Sequence, residues 1–446
     1  MAGALRRFLV ETRQHFQVPM ARRTTSSTAM EMDAPPRFLI VLAEQLHLAG
    51  TTSDRLESMV TTAASVLGIE LHIFATPTNI TLAIGPAYRQ QVVMLRVSPG
   101  SLDLHALALL TELYDAVCGG QLDATAGIAR IEALLEHRKP APVWLPMASF
   151  CVVSLGTSLL LGAHPREILV AGTIGLSTGI IAAFAARYRV VARLFEVLAT
   201  FFGTLIVAGF NHFVGPTNLY ISIISGIVPL LPGYSLTAAL YELANSDLIA
   251  GMARLGKVFA TVLELGCGAA LAIIIAGTAV LSGTNNSPHP VGMLTWTTAI
   301  VLMTVGLAAV LNARLKDYAW IFAACFIALL TSRVLGTLPG HQAAAFGAAF
   351  VSGLVSNLGA RFLRVPQLVL LVPAVFVLVP GALTYESVAS LFAANYTTAA
   401  ALGVNAIIAS IFVVAGLLLS QLLFSTAGRL VDSVPIVADA YPGSRK

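Results

Sequence analysis

Residues 197–241, 265–313 and 387–428 contain no Asp, Glu, Lys or Arg at all. Five shorter runs share this property: 141–165, 168–186, 318–332, 334–360 and 365–385. About 20 apolar residues carry a helix across the hydrocarbon of a bilayer. A helix also satisfies its own backbone hydrogen bonds there, which an open strand cannot do. Runs of this length and number therefore commit the chain to a bundle of membrane-crossing helices. Charged residues make up 11% of the sequence, against about 25% in soluble domains. That excludes an ordinary soluble enzyme and a disordered chain. Cys118, Cys151, Cys267 and Cys325 stand far apart with no CxxC pair. No disulfide scaffold, metal knuckle or iron–sulfur ligand set is expected from them. A net charge of +4 in such a chain speaks to orientation rather than to nucleic acid.

The charges divide the chain. Residues 1–140 hold 25 of its 48 charged residues. The boundary falls at Lys139-Pro140-Ala141-Pro142, where two prolines oppose a continuous helix. Residues 1–35 show no sustained periodicity and read as an unfolded tail. Residues 36–139 read as a small soluble α+β domain. Helices are predicted at Phe38–Leu48 and Ser53–Leu67, with Leu56, Met59, Val60, Ala63 and Val66 on one face of the second. Strands are predicted at Glu70–Ala75, Asn79–Ile84 and Gln91–Val97, followed by helices Asp103–Val117 and Ala124–Leu135.

Cutting the apolar part at turn signals gives ten spans: 144–163, 168–186, 192–213, 217–239, 254–281, 291–311, 317–335, 341–360, 366–389 and 397–424. With the N-terminus inside, the inner connections carry 12 basic residues and the outer ones only Arg166 and Arg333. The positive-inside rule demands that asymmetry, so both termini are expected in the cytoplasm. Residues 140–282 and 283–425 then form two five-helix units, with a cytoplasmic tail at 426–446.

Leu230-Leu231-Pro232-Gly233 recurs as Leu378-Val379-Pro380-Gly381, 148 residues later. The first and sixth spans are offset by a similar distance. Five spans per unit is odd, so the second unit enters the bilayer from the opposite side. Inverted repeats of this kind are a recurring transporter plan. Pro229, Pro232 and Gly233 fall toward the inner end of the fourth span, and Pro373, Pro380 and Gly381 toward the outer half of the ninth. Breaks there free backbone groups for a bound zwitterion, or serve only as packing kinks. Glu264 is the acidic residue nearest the middle of a span. It reads either as a proton carrier or as half of a structural ion pair. Ser352, Ser356 and Asn357 on the eighth span and Asn405 on the tenth are substrate-binding candidates, or makers of interhelical hydrogen bonds. No catalytic set, metal site or cofactor site is expected.

Two stretches resemble the threonine/serine exporter family. One is Ala49-Gly50-Thr51-Thr52-Ser53-Asp54-Arg55-Leu56-Glu57, continuing through Leu67-Gly68 to Thr76-Pro77-Thr78. The other is Pro229-Leu230-Leu231-Pro232-Gly233-Tyr234-Ser235-Leu236-Thr237, running on through Glu242, Asp247, Gly251 and Arg254. The resemblance implies a soluble N-terminal domain, ten spans and residence in the bacterial cytoplasmic membrane. It implies export of threonine and serine driven by the proton-motive force. The partners are then the amino acid, protons and the lipid bilayer, with no nucleic acid and with homo-oligomer formation left open. Export of another small polar metabolite is an alternative, as is a membrane regulatory or structural protein with a cytoplasmic sensory domain.

Overall fold

The structure is a computed structural model that describes residues 33–98, 102–136, 142–277, 289–337, 341–363, 365–379, 381–392 and 395–432. Helix α1 spans Ala34–Leu48. It starts four residues before the apolar periodicity does. Pro35 and Pro36 explain this, because proline presets helical φ where no N–H bond is needed. Helix α2 spans Ser53–Val66 and buries Leu56, Met59, Val60 and Ala63. Val66 departs from the expected face and is exposed, since ten helical steps turn it about 80° away from Leu56. Strands β1 (Leu71–Thr76), β2 (Asn79–Ile84) and β3 (Gln91–Arg96) form an antiparallel meander. Its register pairs Thr76 with Asn79 and Ile84 with Gln91. Ile80, Leu82 and Ile84 of β2 point into the core. Helices α3 (Leu104–Cys118) and α4 (Ala124–Glu136) complete this α+β unit. Asp103 and Asp123 cap them by accepting from the backbone N–H groups of Ala106 and Ala126.

The apolar part is helical throughout its described length. Its elements are α5 (Trp144–Leu160), α6 (Pro165–Ala185), the short α7 (Arg189–Arg193), α8 (Phe195–Phe213), α9 (Leu219–Ile227), α10 (Gly233–Ala244) and α11 (Leu248–Ala276). Then come α12 (Met293–Val310), α13 (Tyr318–Leu335), α14 (His341–Leu363), α15 (Gln367–Leu378), α16 (Gly381–Phe392) and α17 (Tyr396–Asp432). Among the described residues, eight helical segments are long and apolar enough to cross a membrane. They become nine when α9 and α10, bent by 55°, count as one broken span. The 17-residue α5 falls short of the usual crossing length, so the expected ten depends on it. The chain is thus a polytopic helical membrane protein.

Small residues set the helix spacing. Gly175 and Gly179 of α6 lie against Phe150 and Met147 of α5, and Gly156 of α5 lies against Met303 of α12. Contacts recur in order along the chain. In the first run α6 packs on α5, α9 on α6, and α11 on both α8 and α10. In the second, α13 packs on α12, α15 on α13, and α17 on both α14 and α16. Helix α17 continues to Asp432, past residue 424, where the last span is expected to end.

Candidate functional site

Two broken helices meet at the centre of the bundle. Helix α9 passes into a 3₁₀ turn at Val228–Leu230, and Pro232 then precedes α10. Proline cannot donate to the helical ladder and clashes with the preceding turn, so the chain bends here. Helix α15 ends at Leu378, Val379 is extended, and α16 restarts at Gly381. Pro380 lies outside the described residues. Pro373 is buried inside α15 without ending it.

Both breaks fall midway along their spans. The sequence instead placed the first toward the inner end and the second toward the outer half. Charge-free windows mark where charges stop, not where the apolar helix starts, and this shifted the sequence estimates of depth. At the crossing, a Cβ on Gly233 would stand 2.8 Å from Val379 Cγ1 and 3.1 Å from Gly381 Cα. A Cβ on Gly381 would stand 3.0 Å from Leu231 Cβ. Glycine on both chains is what lets the two backbones approach this closely.

From the crossing, α10 runs toward the α+β unit, and α15 comes from it. Between them lies a cavity of about 380 Å³. Its walls include Tyr234, Thr237 and Tyr241 of α10, Leu371 and Val375 of α15, Gly353 of α14, and Ser420 and Gln421 of α17. The remaining wall is α2 and the residue that precedes it, through Thr52, Asp54, Arg55, Ser58 and Met59. Tyr241 Oη donates to Gln421 Oε1 (3.0 Å). Arg55 Nη1 donates to Gln367 Oε1 (2.9 Å), and Gln367 Nε2 donates to Asn357 Oδ1 (2.6 Å). Thr237 Oγ1, Asp54 Oδ1 and Arg55 Nε are buried with no hydrogen-bond partner. Burial holds the Arg55 guanidinium below its usual pKa.

An open groove of about 550 Å³ lies beside the cavity and shares Asp54 and Ser58 with it. Glu57 and Asp247 also line the groove, and burial raises both carboxyls above their ordinary range. Beside the cavity the start of α2 is fastened to the helices. Glu242, fully buried, accepts from Arg254 Nε and Nη2 at 2.9 Å each and from the Ser53 backbone N–H at 3.2 Å.

The residues singled out from sequence fall into three groups. Pro229, Pro232, Gly233, Pro373 and Gly381 belong to the broken helices or their junctions. Asn357 reaches the cavity wall through Gln367. Ser352, Ser356, Asn405 and Glu264 do not line the cavity. The two serine hydroxyls are buried and donate to carbonyls of their own helix, at Ala348 and Gly353. Asn405 is exposed on α17. Glu264 lies 3.8 Å from Lys257 Nζ, and Lys257 is also 4.0 Å from Glu196. A second in-span carboxylate, Glu386 of α16, accepts from Tyr220 Oη of α9 at 2.6 Å. Among the described residues, no group of three or more His, Cys, Asp or Glu could hold a metal ion.

Sequence reasoning missed Asp54, Arg55, Thr237 and Gln367 as cavity residues. Three of them lie in or beside the two quoted motifs. The missing information was that the motifs meet.

Comparison with known proteins agrees with this architecture. A threonine/serine exporter family model matches residues 37–276, and a second, "Threonine/Serine exporter, ThrE", matches residues 296–423. "Pheromone-regulated membrane protein 10" of Zygosaccharomyces rouxii is 24% identical over 366 residues, covering 79% of this chain and 37% of that protein. The protein of the same name from Eremothecium gossypii is 24% identical over 362 residues, covering 79% of this chain and 48% of its own length. That from Candida glabrata is 23% identical over 366 residues, covering 79% and 46%. The chain thus spans between about a third and a half of the length of these fungal relatives. No solved structure matches it. The two family models together run through the α+β unit, both broken helices and the last span, and the chain belongs to the threonine/serine exporter family.

Proposed function

We propose that this protein exports L-threonine and L-serine from the cytoplasm by alternating access around the crossed helix breaks, driven by the proton-motive force. The observation that carries this is the cavity at the crossing. It is small for a ligand pocket and mostly apolar-walled, and its unpartnered atoms include one hydroxyl oxygen, one guanidinium nitrogen and one carboxylate oxygen. Those groups suit a hydroxy amino acid. Ten spans in two inverted five-helix units are part of the same proposal. The repeated Leu-x-Pro-Gly, the contact of Gly233 with Gly381 and the recurring order of helix packing support it. On the side away from the α+β unit, the Tyr220–Glu386 hydrogen bond holds α9 to α16. On the near side α2 covers the cavity between α10 and α15, and the open groove adjoins it at Asp54 and Ser58. With the positive-inside orientation, this is a state closed toward the outside.

Glu264 is proposed as the proton carrier. Its carboxylate lies 3.8 Å from the Lys257 ammonium of the same helix, and an acidic residue inside a span is costly unless it has such a partner or a functional role. Counterflow of labelled threonine into vesicles containing the purified protein tests export, and serine should compete. Glu264→Gln should retain threonine exchange while losing efflux driven by a pH gradient. Gradient-driven efflux at the normal rate per folded molecule would remove Glu264 from the mechanism. Flat counterflow with threonine and serine would favour another metabolite or a regulatory role.

A further inference from the structure

We propose that Asp54 and Arg55, which lie outside the membrane-spanning helices, read the two charges of the substrate: Arg55 takes the α-carboxylate and Asp54 the α-ammonium. The α+β unit then supplies half of the amino-acid site. This rests on the cavity being where the exported amino acid binds.

Arg55 faces the cavity with an unusual set of partners. Its one observed hydrogen bond goes to a neutral amide, Gln367 Oε1. Among the described residues no carboxylate lies within ion-pair distance of it, and its Nε is buried without a partner. Asp54 and Asp115 act on Arg55 only through space; a guanidinium partly removed from water without a contacting carboxylate is costly, and its planar fork matches a carboxylate in two-point fashion. The Gln367–Asn357 chain holds one arm of that fork and leaves Nε free.

Asp54 is the neighbouring residue on the first turn of α2. Its Oδ1 is likewise buried and unpartnered. It lines both the cavity and the groove, so it stands where the two spaces adjoin. Although close in sequence, Asp54 and Arg55 do not pair with each other, which leaves both charges available to a zwitterion between them. Asp54 also opposes a dicarboxylate, whose second charge it would repel. Thr237, 2% exposed, offers its unpartnered Oγ1 from the opposite wall for the substrate's own hydroxyl.

The test uses the full chain in vesicles and measures competition against labelled-threonine counterflow. The competitors are threonine, threoninol, which lacks the carboxylate, and N-acetylthreonine, which lacks the ammonium. For the unaltered protein, both analogues should compete at least tenfold more weakly than threonine. In Arg55→Gln, threonine should weaken to the level of threoninol, while threoninol itself is unchanged. In Asp54→Asn, the same convergence should appear with N-acetylthreonine. The comparison is a ratio within one protein, so loss of folded molecules does not move it. If either variant fails to fold, the unaltered protein still decides: threoninol or N-acetylthreonine competing as well as threonine overturns the proposal. An unchanged threonine-to-threoninol ratio in Arg55→Gln overturns it as well, with the export reading intact. Absence of threonine counterflow in the unaltered protein overturns the export reading itself, and this proposal with it.

Discussion

Glu242 has no exposed surface, yet its side chain is bound by three donors from two distant segments. Arg254 closes on it bidentately, and the Ser53 N–H brings in α2. Removing one member of such a pair strands the other as a buried charge, which typically costs about 3–5 kcal/mol. Glu242→Ala should lower unfolding stability by about that amount in detergent denaturation. Glu196→Ala, whose only ion-pair partner among the described residues is the exposed Lys257 at 4.0 Å, should cost about 0–1 kcal/mol. Equal losses from the two would show that the Glu242 cluster does not clamp α2 to the helices. Glu242 and Arg254 both stood in the sequence motif, but spacing alone did not pair them across a helix-to-helix turn. Glu264 shows the opposite lapse. Lys257 lies seven residues earlier on the same helix, close to two full turns. That partner was visible in the sequence, where Glu264 read as a proton carrier or as half of an ion pair whose other half was not named.

At the scale of elements, the Pro-Gly breaks were legible because proline removes a backbone donor wherever it falls. Their depth was not, and neither was their contact. Two segments 148 residues apart meet only when the bundle closes. Gly233→Ala places a methyl group 2.8 Å from Val379 Cγ1 and 3.1 Å from the Gly381 backbone. The crossing must then spread, and counterflow of labelled threonine should fall about tenfold or more, with helix content and membrane insertion retained. Gly256→Ala on α11 is the control, since nothing lies within 4 Å of its added Cβ. It should transport normally. Unimpaired counterflow by Gly233→Ala would remove the close crossing from the transport cycle.

At the scale of the whole molecule, the α+β unit is not a loose appendage. Leu104 N donates to Leu311 O at the end of α12, and Arg314 joins Glu112 and Asp317 at 2.7 Å each. Together with Ser53–Glu242 and Arg55–Gln367, these contacts dock the unit on one end of the bundle. In the proposed orientation, which rests on the basic-residue asymmetry, that end faces the cytoplasm. Single cysteines at Gly283 and Ala394, positions outside the described residues, should react with an impermeant maleimide in intact cells lacking the four native cysteines. A cysteine at Lys316, beside Glu112, should react only after permeabilisation. Labelling of residue 316 in intact cells would invert the orientation.

Local chemistry decided what the sequence determined alone: that the chain spans a membrane, where its helices break, and the order of the helices and strands of the α+β unit. Charge, apolar periodicity and proline act through neighbours a few residues away, so they can be read along the chain. The site needed the tertiary structure. Asp54 and Arg55 resemble ordinary polar residues at the start of a surface helix until α2 is seen docked across α10 and α15. Only that docking half-buries them, and it sets them on the wall of the same cavity as Thr237. Burial and partnership of a charge are set by residues far away in sequence, and no local pattern encodes them.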